Sequence, residues 1–139
     1  MSASSIHGSC LCGAVTFEAS PPFQRMLHCH CSRCRKGSGT GHATNLLAGP
    51  TSVRWLSGEE LISRYDLPTA KHFSKWFCSR CGSPVPRVGR NGQFAVIPAG
   101  ALDDAPPIAP TAHIFWASRT PWACDSSGLP THAEYPQVW

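Results

Sequence analysis

Cys29, Cys31 and Cys34 place three thiols within six residues, spaced C-x-C-x-x-C, with Arg33 among them and Arg35 and Lys36 directly behind. A structural zinc ion takes four protein ligands, whereas a working one keeps a position open. This segment supplies three soft ligands and no evident fourth. Zinc held by three thiolates leaves the site with a net charge of −1, which makes it a weak Lewis acid and favours a soft fourth ligand. A substrate thiolate is the natural candidate. Held there and aimed at a carbonyl carbon, it would form a carbon–sulfur bond; expelled from a thiohemiacetal, it would break one. Other readings of the same thiols are a second structural site closed by His28, His30 or Cys124, and a redox dithiol at Cys31 and Cys34. The latter lacks a thioredoxin-like βαβ setting. Arg33, Arg35 and Lys36 read as a solvated face, as charge compensation for thiolates, or as a seat for substrate carboxylates, which a guanidinium fork grips by two oxygens at once.

A second set of thiols has a structural character. Cys10-Leu11-Cys12-Gly13 cannot close a metal site alone, and Cys78-Ser79-Arg80-Cys81-Gly82 has the C-x-x-C-G shape of a zinc knuckle. Joined, the two pairs make a four-thiolate site that staples the first strand to the middle of the chain. Such a metal contributes folding free energy directly, on the order of 10 kcal/mol if comparable with zinc-finger sites. Buried free thiols and disulfides are the alternatives. Eight cysteines would suggest a disulfide framework in a secreted chain. Met1-Ser2-Ala3-Ser4-Ser5 shows no basic region followed by an apolar core, so a cytoplasmic setting with reduced, metal-binding thiols is expected.

Composition bounds the partners. The chain has 139 residues, formal charge +4, 42% hydrophobic and 14% charged residues. That is enough for one globular domain with a core, here expected over 1–139 with the core at about 9–122 and a tail at 123–139. Seven thiolates and two Zn²⁺ ions together carry −3, which would lower the formal +4 to about +1. The basicity is therefore weak support for nucleic-acid binding. No apolar run approaches the roughly 20 residues of a membrane span. A small-molecule partner, without nucleic acid or membrane, is the expectation.

The elements that must position the thiols are short. Thirteen Pro and twelve Gly punctuate the chain, and no stretch sustains a 3.6-residue apolar period with caps. A mainly β fold follows, with strands expected at 14–18, 25–28, 42–47, 52–56, 61–66, 71–77, 94–97 and 113–116. The three-thiol segment and the following 36–41 read as loop. Trp55, Trp76, Trp116 and Trp122 are expected to build the core, with one free to line a cleft. Most of the seven histidines read as ordinary, His113 as a core or cleft residue, and Cys124 as a small buried apolar side chain.

Taken in order, Cys10-x-Cys12-Gly13, His28-Cys29-His30-Cys31-Ser32-x-Cys34-Arg35-Lys36, Phe77-Cys78-x-x-Cys81-Gly82, Ala99-Gly100-x-Leu102-Asp103, His113-Ile114 and Trp122 resemble the glutathione-dependent formaldehyde-activating enzyme family, which includes the centromere protein V type domain. The resemblance runs from about Ser9 to Trp122. It implies a β-tent-like zinc fold of small antiparallel sheets. It implies a structural zinc at Cys10, Cys12, Cys78 and Cys81, and a second zinc at Cys29, Cys31 and Cys34 near a glutathione site. The implied activity is that of S-(hydroxymethyl)glutathione synthase, a carbon–sulfur lyase. Two other functions fit the residues: a non-catalytic zinc module that binds a partner, and a hydrolase using zinc-bound hydroxide.

Overall fold

The computed structural model describes residues 4–123 and 127–138, so Cys124 lies outside the described residues. Among the described residues, ten strands follow in chain order: β1 (Ile6–Ser9), β2 (Thr16–Ala19), β3 (Phe23–Cys29), β4 (Ala43–Ala48), β5 (Val53–Ser57), β6 (Ile62–Asp66), β7 (Ser74–Cys78), β8 (Arg87–Val88), β9 (Ala95–Pro98) and β10 (Ala112–Ile114). One α-helix, α1 (Ser32–Ser38), stands between β3 and β4. The strands form three sheets, ordered β1-β2-β5, β10-β3-β4-β9-β8 and β6-β7. Small sheets in a mainly β chain are as expected.

Alternation along the strands builds the core. Phe17 and Ala19 are buried on β2 while Thr16 and Glu18, which alternate with them, are not. Leu46 and Ala48 on β4 face their register partners Ile97 and Ala95 on β9. Together with Ile6, these side chains form one buried cluster joining the three-stranded sheet to the five-stranded one. Trp55 meets Phe17 edge-on, ring centroids 6.0 Å apart. A second cluster contains Cys10, Val15, Cys78 and Val85, packed by Trp76, Leu61 and Ile62. Sulfur occupies there the place an aliphatic side chain would take in a larger protein.

Several expectations need correction. The segment behind the first two thiols is a helix, not a loop. α1 buries none of its residues, so it leaves no apolar stripe in the sequence. Its ends are set by local chemistry. Cys31 is the N-cap and its sulfur accepts the Cys34 N–H, while Gly39, at φ 72°, lets its own N–H return to the Arg35 carbonyl. β1 and the two-residue β8 were not foreseen, and the strand expected at 71–77 begins only at Ser74. β10 runs parallel to β3, whereas the other strand pairs are antiparallel. It stops at Ile114 because Phe115 turns at φ 53° into a short 3-10 segment, Trp116–Ser118. Trp116 and Trp122 are 44% and 65% exposed and so are not core residues.

Candidate functional site

Backbone geometry assembles the first thiol group. The turn after β1 is tied by Cys10 N–H to the Val15 carbonyl and Gly13 N–H to the Cys10 carbonyl, each at 3.0 Å. The knuckle after β7 is tied by Gly82 N–H to the Cys78 carbonyl at 2.7 Å. These turns bring Cys10, Cys12, Cys78 and Cys81 together with all four sulfurs within 4.8 Å of one another. Cys10 Sγ and Cys12 Sγ are 3.6 Å apart, and Cys12 Sγ and Cys78 Sγ 3.9 Å. A tetrahedron built on Zn–S bonds of about 2.3 Å has edges of about 3.8 Å. The donor set and its spacing therefore fit a closed tetrahedral ion. The Val15 N–H points at Cys10 Sγ at 3.3 Å, and Cys81 Sγ lies 3.3 Å from the Ser83 hydroxyl. Hydrogen bonding from Ser83, side chain first and then backbone, pushes the Cys81 thiol down to about 5.

The second group sits where β3 ends and α1 begins. Cys29, Cys31 and Cys34 have their sulfurs within 4.8 Å of one another, and no fourth His, Cys, Asp or Glu among the described residues joins them at that spacing. Hydrogen bonding from Cys34 pushes the Cys29 thiol down to about 6, and the same contact pushes Cys34 up. A group that shares its protons in this way suits a cation that would displace them. Three soft donors with an open side fit a zinc ion that keeps one exchangeable position.

Alternation at the end of β3 separates two kinds of chemistry. Successive side chains of an extended chain point to opposite faces, so His28 and His30 share one side and Cys29 and Cys31 the other. The imidazole side meets His42 and His113. Ring centroids are 4.2 Å apart for His28 and His42, 5.1 Å for His30 and His42, and 5.0 Å for His30 and His113. His30 Nε2 lies 2.8 Å from His113 Nδ1, and Thr44 Oγ1 stands between His28 Nδ1 at 2.7 Å and His42 Nδ1 at 3.3 Å. Trp116 closes the group, its ring 5.0 Å from both His30 and His113. Burial first, then repulsion between the imidazoles, holds His28, His30 and His42 below their usual 6.5. These three imidazoles therefore favour the neutral form at pH 7. His28 and His30, candidates from sequence for closing the thiol site, belong to this cluster instead.

A cavity of about 1160 Å³ brings the two chemistries together. Cys34 reaches it from α1, His30, His42 and His113 from the imidazole cluster, and Trp116 and Trp122 supply apolar wall. Phe73, Lys75, Arg87 and Asp103 complete the side chains that carry charge or bulk. Arg33, Arg35 and Lys36 are not among its lining residues; Arg35 Nε donates to the His30 carbonyl at 3.3 Å. Four of the seven histidines, His28, His30, His42 and His113, thus lie in one cluster. The i, i+2 spacing of His28 and His30 was the available signal for half of the cluster. Nothing in the sequence linked them to His42 or His113, nor Lys75 and Arg87 to the thiols.

The sequence profile described as "Glutathione-dependent formaldehyde-activating enzyme" matches residues 5–118. A protein of Halomonas elongata named "Putative glutathione-dependent formaldehyde-activating enzyme" is 34% identical over 130 residues, covering 84% of this chain and 78% of that protein. A crystal structure of a Rhodobacter sphaeroides protein superposes with a TM-score of 0.62 at 25% identity, covering 78% of this chain and 99% of the other. The profile match, the Halomonas relative and the two thiol groups agree: the chain belongs to the glutathione-dependent formaldehyde-activating enzyme family.

Proposed function

We propose that this protein is a zinc-dependent carbon–sulfur lyase that makes and breaks the adduct between a thiol such as glutathione and formaldehyde or a related small aldehyde. The observation that carries the reading is the three-sulfur group without a fourth protein donor among the described residues, placed at a cavity that Cys34 lines together with His30, His42 and His113. Zinc bound by Cys29, Cys31 and Cys34 would hold the substrate sulfur as a thiolate at its open position. A closed zinc would sit at Cys10, Cys12, Cys78 and Cys81 and serve the fold. His113 reaches the cavity with His30 hydrogen-bonded behind it. In the breaking direction His113 takes the hydroxyl proton as the C–O bond becomes C=O, and the C–S electron pair leaves with sulfur. In the making direction the same proton returns to the carbonyl oxygen as the C–S bond forms. Reduced thiols in this number suit a cytoplasmic setting.

The test is exchange NMR on mixtures of labelled formaldehyde and glutathione with the zinc-loaded protein. Faster interconversion of free aldehyde and adduct, lost in Cys34→Ser, supports the lyase. Turnover of an ester or amide without any thiol would point to a hydrolase, and no chemistry with either to a binding module.

A further inference from the structure

Lys75 and Arg87 are half-buried cations on the cavity wall, and among the described residues neither is paired with a carboxylate. The Arg87 guanidinium lies 5.3 Å over the Phe73 ring. The ring attracts the cation and helps to hold it at the wall, and a guanidinium suits a planar, two-oxygen acceptor. Phe73 and Lys75 both lie beside Gly37 in α1, where a Cβ would stand in ordinary contact with each at 3.7 Å. The wall is therefore packed against the helix that carries Cys34. Burial holds the Arg87 group below its usual value while Cys34, Cys29 and Cys31 pull the other way. Asp103, the carboxylate of the cavity, is engaged by the Ser9 hydroxyl at 3.1 and 2.9 Å.

We infer that Arg87, assisted by Lys75, is the seat for a carboxylate on the thiol substrate, and so selects anionic thiols over neutral ones. The inference rests on the lyase reading for the identity of the ligand as a thiol. It assigns carboxylate recognition to the Phe73–Arg87 wall, facing the cavity, rather than to the cations that follow Cys31 in sequence.

The experiment is calorimetric binding of glutathione, glutathione diethyl ester and 2-mercaptoethanol to the zinc-loaded protein, without aldehyde, with kcat and KM measured in parallel. Wild type is expected to bind glutathione more tightly than its diethyl ester, which lacks both carboxylates, by about tenfold or more, the range of a charge-assisted hydrogen-bonded pair. Arg87→Met removes that preference and leaves ester binding and zinc content as they were. Arg87→Lys restores part of it, and Lys75→Met removes less. Equal binding of acid and ester by wild type overturns the inference, and this needs no variant to fold. Equal weakening of both thiols in Arg87→Met, or loss of zinc, also overturns it and makes the cations charge compensation for the thiolates. Loss of the preference in Arg33→Ala or Lys36→Ala, with Arg87→Met unaffected, returns recognition to the segment around α1. Arg87-dependent glutathione binding without accelerated adduct exchange would instead sink the lyase reading and leave the anion seat standing.

Discussion

His30 Nε2 and His113 Nδ1 stand 2.8 Å apart, which joins a side chain only 1% exposed at the end of β3 to one that opens on the cavity. The parallel pairing of β10 with β3 makes the contact, since His113 and His28 are register partners and the His30 N–H continues the ladder to the Ile114 carbonyl. A buried imidazole can thus fix the orientation of the proton-accepting one. Replacing His113 by Ala is expected to lower kcat for adduct exchange by on the order of a hundredfold, the lower range for loss of a positioned acid–base group. Zinc content should stay as in wild type, and glutathione affinity should change little. An unchanged kcat would remove His113 from the chemistry.

The pH dependence has a definite sign. Burial first, and repulsion from His113 second, hold His42 below 6.5, so the folded chain resists a proton that the unfolded chain takes up. Stability from the neutral imidazole is therefore complete above about pH 6.5 and is lost as pH falls below that value toward the folded one. NMR titration of the His42 ring protons in zinc-loaded protein should give a midpoint below 6.5. A midpoint at or above it would show that the cluster is hydrated and carries charge near neutrality.

The two thiol groups should respond differently to loss of one ligand. Cys78 is fully buried in the second core cluster, where sulfur takes the place of apolar packing. Cys78→Ser is expected to abolish cooperative folding or to cost several kcal/mol, since metal binding at comparable closed sites supplies about 10 kcal/mol. Cys34 lies on a helix with no buried residue, so Cys34→Ser should keep the fold, lower zinc to one ion per chain and stop adduct exchange. Thermal unfolding with elemental analysis decides between them, and equal destabilisation by both would contradict the division into structural and working sites.

Gly41 marks where Trp122 meets the cavity wall. A Cβ there would approach the far edge of the Trp122 ring to 2.8 Å. Trp122 is largely exposed, so it can swing aside rather than strain the core. Gly41→Ala should alter KM and tryptophan fluorescence while changing stability by no more than about 0.5 kcal/mol. A larger stability loss would place Trp122 in the packing of the fold.

The grouping of the thiols was legible in the sequence because their members lie at short spacings. Cys10 with Cys12, Cys78 with Cys81 and the Cys29–Cys31–Cys34 triplet could each be read from a few consecutive residues, and the structure groups the same thiols. The mainly β character was legible from alternation such as that of Phe17 and Ala19. α1 was hidden because Cys31 and Gly39 cap it locally and nothing in it is buried. The imidazole cluster was hidden for a different reason. It depends on β10 returning parallel to β3, a long-range pairing that no local pattern records. The Phe73–Arg87 stack likewise joins the lead into β7 to β8, a strand of two residues.

The most direct test of the account is ¹¹³Cd NMR of protein in which cadmium replaces zinc, before and after glutathione. Two resonances are expected, one for four thiolates and one for three thiolates with an oxygen ligand. Glutathione should move only the second, toward the four-sulfur position, and Cys34→Ser should remove it. A single four-sulfur environment for both ions, indifferent to glutathione, would contradict an open site at Cys29, Cys31 and Cys34.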